Sequence, residues 1–257
     1  MGYARYFQKT PHVGDDDFVP GVTFDRIRAI YDADEELRDA LSRRLGQAET
    51  LLRSHTAYVI AHAYGPYGRY LHRDFYTDMP NAEPTADALL RDVRRSKERH
   101  ILRFTAGSGL QPFAQLPVWS AVEAWSFGSL SKCIERGDGG TLANHVADSL
   151  GVARAGFAYR VRALVYLRNR CAHHSRLWHH SVVDAGPTPN NVRGRAKKLA
   201  GQFQPRSVLD VVASLDDIVV RGARAEPVLP ELVARHKEDQ ELWEGLCAPL
   251  SPRDHDA

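Results

Sequence analysis

Leu37, Leu41, Leu45, Ala48, Leu52, Val59 and Ala63 recur at steps of three, four or seven residues. Only a helix of about 3.6 residues per turn puts all of them on one face. Asp34 reads as the cap of this helix, with Glu35 and Glu36 favourably placed in its first turn. Gly65-Pro66 stops it. A shorter helix carrying Phe24, Ile27 and Ile30 is expected before it, with Thr23 as N-cap. Nowhere does the chain show a strand-like alternation of any length, or an internal repeat. The expected fold is therefore all-α: one helical domain.

Helical periods continue downstream. A basic amphipathic helix is expected over about 86–104, following the aromatic, turn-rich segment 66–84. Leu116-Pro117-Val118-Trp119 through Phe127 reads as a buried helix with proline near its start, Trp119 and Trp125 serving as core. Helices are also expected over about 129–136, 142–150, 157–178, 207–223 and 229–246. Residues 1–20 read as an irregular lead-in containing a triple aspartate, 15–17. Residues 21–248 form the single domain, and 249–257 a flexible tail. Within the domain, 181–206 contains Gly, Pro and two adjacent Asn and reads as a basic loop.

The net charge of +2 conceals a strong polarity. Residues 151–206 carry eleven Lys or Arg and one acid, Asp184, whereas 207–257 carry five and eleven. A basic field of that kind attracts nucleic acid even in a nearly neutral chain, although a plain solvated face has the same composition. Three scattered cysteines give neither a disulfide framework nor zinc spacing, and no cofactor is expected. No run is long and apolar enough for a membrane span, and no leader peptide is evident, so a cytoplasmic location is expected.

The densest chemistry lies in 167–180, where four His, three Arg and one Asn fall within fourteen residues. Arginine holds phosphate through two parallel donors, and histidine moves protons near neutrality. The spacing of Arg168 and His173 alone says little. Composition yields about one such pair by chance, and Arg95 with His100 is another. The surroundings distinguish the first pair: Asn169 follows the Arg, Ala172 precedes the His, and Trp178 lies beyond. On a helix Asn169 and His173 share a face, joined by Arg176 if the helix continues. Arg168 lies about 140° from His173 on an ideal helix. It therefore reaches around on its long stem, sits at a distortion, or acts across an interface between two copies.

For RNA the corresponding chemistry needs no metal. The 2′-hydroxyl is an internal nucleophile, a histidine takes its proton or protonates the leaving 5′-oxygen, and arginines stabilise the phosphorane charge. Against this stand simpler readings. His174 is equally explained as a cation at a helix C-terminus. His179 and His180 could complete a metal cluster with His173 and His174, but adjacent histidines diverge on a helix and no carboxylate is near, so no metal site is assigned. Cys171 reads as packing.

The motif resembles the Arg-Asn-x-x-x-His signature of HEPN-domain ribonucleases, and the chain resembles more closely the Abi-like family of bacterial abortive-infection proteins, the AbiD/AbiF type. Three blocks carry the resemblance: Phe24–Arg38; Leu116-Pro117-Val118-Trp119 to Phe127-Gly128-Ser129-Leu130; and Arg168-Asn169 to Ala172-His173-His174 with Arg176-Leu177-Trp178. The resemblance covers roughly residues 18–180. It implies a HEPN-like helical bundle and a homodimer with a composite site. It also implies metal-independent endoribonuclease activity in phage defence, and an antitoxin, protein or RNA, that restrains it.

Under this resemblance Arg168 and His173 are catalytic, with Asn169 between them and His174 as a candidate supporting residue. Arg170, Arg176, Arg193, Arg195, Lys197 and Lys198 are the expected RNA-backbone contacts. His179 stands where the family often has Asn after the Trp, outside the Arg–His core. Two alternatives remain open: a non-catalytic RNA- or partner-binding module of a toxin–antitoxin system, and a substrate or regulator of nucleotidyl transfer.

Overall fold

A computed structural model describes residues 2–13, 17–105, 112–183, 185–223 and 225–252. Asp15, Asp16, Asp184 and the end of the tail, 253–257, lie outside the described residues. The protein is all-α. Its helices are α1 (Phe24–Tyr64), α2 (Thr85–Arg95), α3 (Arg99–Leu102), α4 (Val118–Ala124), α5 (Phe127–Arg136), α6 (Leu142–Leu150), α7 (Phe157–Ala172), α8 (Asn190–Ala200), α9 (Val208–Ala223), α10 (Leu229–His236) and α11 (Gln240–Cys247). Strand-like pairing among the described residues amounts to isolated bridges such as Ser181 with Ser207.

The chain resolves into two compact units. The first comprises Met1–Leu45, Tyr166–Asp217 and Glu226–Ala257, and the second Gly46–Val165 and Ile218–Ala225. The core of the first unit is built from Ile30, Leu37 and Leu41 of α1, Leu167 and Cys171 of α7, Trp178, and apolar faces of α8 to α11. The second buries Leu52 and Ile60 of α1, Leu89 and Val93 of α2, Trp125, the α5 residues Leu130 and Ile134, Val146 of α6, and Val161 and Leu164 of α7.

Several expectations need correction. The first two expected helices are one: α1 runs unbroken for 41 residues. Asp34 is therefore not its cap but an interior residue with no solvent exposure. The expected 86–104 helix breaks at Ser96, whose ψ of 139° is extended. The N-terminus of α2 is set by Asp78, whose carboxylate accepts the Thr85 N–H at 3.0 Å. Trp125 is core as expected, but Trp119 is 52% exposed, because α4 turns that side outward.

The basic stretch 181–206 is not a loop throughout. Val192, Ala196 and Ala200 form a buried stripe four residues apart, which makes α8 amphipathic despite its two asparagines and Gly194. Gly201, at φ 92°, ends it in a conformation that glycine adopts without a Cβ penalty. The lead-in is also more than a tether. Its 3₁₀ turn, Ala4–Tyr6, is flanked by Tyr3 and Phe7, and the rings of Tyr3, Tyr6 and Phe7 pack against Trp178.

Candidate functional site

The site sits where α7 ends. Leu167 and Cys171 anchor this end of the helix in the core of the first unit. Burial pushes the Cys171 thiol up to about 12, so it stays protonated and acts as packing. The helix stops at Ala172, short of the expected Trp178. His174 takes a left-handed φ of 51°. Its N–H donates to Cys171 O at 3.1 Å, and the Ser175 N–H reaches back to Arg170 O at 2.8 Å. This pair of bonds is a Schellman termination, with His174 where glycine is usual.

Asn169 and His173 remain one turn apart on the same face, because the His173 N–H still donates to Asn169 O at 3.0 Å. Both side chains are exposed, as is His174. Arg168 is half-buried, and its Nη1 lies 3.3 Å from Asn169 Oδ1. Arg176 does not join their face, since the helix has ended before it.

The backbone beyond the helix is held by a buried carboxylate. Asp34 accepts the N–H of Leu177 at 3.0 Å and of Trp178 at 2.9 Å. It also accepts from Arg38 Nη1 at 2.5 Å and from the Tyr3 hydroxyl. Burial, reinforced by the Asp34 charge, pushes the Tyr3 phenol up, so it remains a donor. Sequence reasoning missed this role of Asp34 and Tyr3. Only the i,i+4 placement of Asp34 and Arg38 was visible locally.

The other cations of the stretch are occupied. Arg170 Nε donates to the Arg176 carbonyl at 3.1 Å, with Nη2 on the same oxygen. Arg176 Nη1 donates to the Trp178 carbonyl at 2.7 Å, and its guanidinium lies 4.6 Å from the Tyr6 ring centre. His179 stacks on Tyr6 at 4.5 Å, and its Nδ1 accepts the Leu250 N–H at 3.2 Å. His180 Nε2 lies 2.8 Å from the Tyr166 hydroxyl. Burial, then neighbouring arginine charge, holds both imidazoles down at about 4. They are neutral packing groups near pH 7. Among the described residues, no three His, Cys, Asp or Glu side chains are grouped to hold a metal ion.

The expected RNA contacts on α8 divide. Arg193 is spent on the buried Asp210, which it grips through two bonds of 3.0 and 3.1 Å. Arg195 is largely exposed, 3.9 Å from Asp217. Lys197 lies over the Phe203 ring at 5.5 Å, and Lys198 is exposed. Arg170, Arg176 and Arg193 are each half-buried and bonded to oxygens of the protein.

No curated protein and no solved structure matches the chain. A family model described as Abi-like protein matches residues 1–179. The matched span holds the N-terminal turn with Tyr3, the Asp34 anchor on α1, and the whole of α7 with its Schellman end. The chain belongs to the Abi-like protein family.

Proposed function

We propose that this protein is a metal-independent endoribonuclease that acts in abortive infection, the response its family membership suggests. One observation carries the reading. Of the cations and imidazoles in 167–180, Arg170, Arg176, His179 and His180 are consumed by the local structure, while Asn169, His173 and His174 face solvent beside Arg168. The exposed Asn169 and His173 and the half-buried Arg168 make up the Arg-Asn-x-x-x-His signature, at the end of a helix fixed by a buried carboxylate. Preorganisation of that kind is what a catalytic group requires.

In the proposed reaction a 2′-hydroxyl oxygen attacks the adjacent phosphorus as its proton passes to a base. The P–O5′ bond breaks, and the leaving oxygen is protonated by an acid. The products are a 2′,3′-cyclic phosphate and a 5′-hydroxyl. His173 is the acid/base, Arg168 stabilises the charge on the non-bridging oxygens, and Asn169 orients the phosphate or the imidazole. Substrates without a 2′-hydroxyl are spared. A homodimer that brings two α7 ends together about a two-fold axis would supply Arg168 and His173 from different chains. A protein or RNA antitoxin would restrain the activity.

The test is cleavage of single-stranded RNA by wild type, His173→Ala and Arg168→Ala, with fragment ends analysed. Loss of 5′-hydroxyl fragments by about 10²-fold or more is expected for His173→Ala. RNA binding by wild type without cleavage would leave a non-catalytic module instead. Mixing the two inactive variants restores activity only if the site is shared between chains.

A further inference from the structure

A second basic surface lies on α2 and takes no part in the site at the end of α7. Helix α2 buries Ala86, Leu89 and Val93 and turns its arginines outward. Asp87, Arg91, Arg94 and Arg95 fall within an arc of about 100°. With Leu90, and with Arg73 from the preceding 3₁₀ turn, they line a groove of about 480 Å³. That volume suits a nucleotide-sized ligand.

The charges in the groove are not cancelled. Arg73 is held by Asp87 through bonds of 3.1 and 2.5 Å, and Arg91 by Glu83. Arg94 and Arg95 are exposed and form no ion pair among the described residues. The one other acid of the helix, Asp92, is turned inward, where it accepts the Ser126 N–H at 2.9 Å. Lys97, Arg99 and Arg103 extend the exposed basic surface along the chain. Two carboxylates thus hold two guanidiniums in place while two others are left facing solvent. Guanidinium forks match phosphate oxygens in pairs.

We propose that this α2 groove binds the phosphate backbone of single-stranded RNA, with Arg94 and Arg95 as the principal contacts. The choice of RNA among polyanions rests on the ribonuclease reading. The groove is a binding subsite, and none of its residues performs chemistry.

The probe is a 5′-fluorescent 20-nucleotide single-stranded RNA, with binding to the full chain followed by anisotropy between 50 and 200 mM KCl. The His173→Ala background prevents cleavage during the measurement. R94Q/R95Q should weaken binding at least 10-fold at 100 mM salt. Loss of two phosphate contacts should flatten the slope of log K against log salt by about 1.4. Circular dichroism checks that the variant keeps its helices. R28Q/R235Q removes the same charge elsewhere and should leave affinity within 2-fold.

Unchanged affinity and slope in R94Q/R95Q overturn the proposal, as does an equal loss in R28Q/R235Q, which would reflect net charge alone. Tighter binding to anionic lipid vesicles or to polyglutamate than to RNA also overturns it. RNA bound through the groove but not cleaved by the wild-type chain would sink the nuclease reading and leave the groove standing. Cleavage that persists without binding at the groove would do the reverse.

Discussion

Asp34 accepts the backbone N–H of Trp178 at 2.9 Å, across 144 residues of sequence. The bond is buried, and the same carboxylate also takes the Leu177 N–H and the Arg38 guanidinium. Removing it would strand a buried charge and two backbone donors at once. Asp34→Ala is expected to cost about 3–5 kcal/mol of stability, the range for breaking a buried ion pair from one side. Urea unfolding followed by tryptophan fluorescence measures it. A loss below about 1 kcal/mol would mean that the α7 end does not depend on this anchor.

Gly245 of α11 is the second fixed point around Trp178. A Cβ there would collide with Nε1 and Cδ1 of the indole and lie 3.1 Å from Cε2. The Gly245 carbonyl accepts the His179 N–H at 3.1 Å, so the backbone has little freedom to retreat. Gly245→Ala should therefore destabilise by about 1–3 kcal/mol, as overpacked cores do. A lower melting temperature with altered near-ultraviolet circular dichroism is the expected signature. An unchanged melt would show that the indole can move aside.

The helices were legible where apolar spacing was strong, as in α1 and α7, and this sufficed for the all-α class. Boundaries were less so. The sequence after Ala172 carries neither Gly nor Pro as a stop signal, and termination falls to a left-handed His174 that local rules disfavour. Helix α8 was missed because its buried stripe is small and rich in alanine, while Asn190, Asn191 and Gly194 signalled a loop. Sorting the site needed tertiary partners. Arg170 and Arg168 are the same residue type two positions apart, yet one is locked to the Arg176 carbonyl and the other lies beside Asn169. The partners that occupy His179 and His180, namely Tyr6, Leu250 and Tyr166, lie outside the motif.

The left-handed backbone of His174 gives a prediction that separates structure from chemistry. Glycine adopts that conformation without the Cβ penalty, so His174→Gly should gain about 0.5–1 kcal/mol after the entropy of the unfolded glycine is counted. Thermal melting measures the gain, and a destabilised variant would contradict the Schellman geometry. RNA cleavage by the same protein then reports on His174 alone. A slower reaction in a more stable protein would assign the imidazole a supporting chemical role.

Acid should weaken the fold before it protonates ordinary carboxylates. His179 and His180 are held down at about 4, below the unfolded value of about 6.5. The unfolded chain therefore binds their protons first. Their contribution is present above about pH 6.5 and is lost as pH falls through about 4. His55 and His236, also held down by burial, act in the same sense. Asp216 opposes them. Burial raises its carboxyl to about 6, so its contribution is present at low pH and lost as pH rises through that value. Four imidazoles outweigh one carboxyl, and the melting temperature should fall between pH 7.5 and 5. H179Q/H180Q should reduce that fall, because glutamine takes up no proton in either state. An equal fall in the double variant would place the acid sensitivity elsewhere.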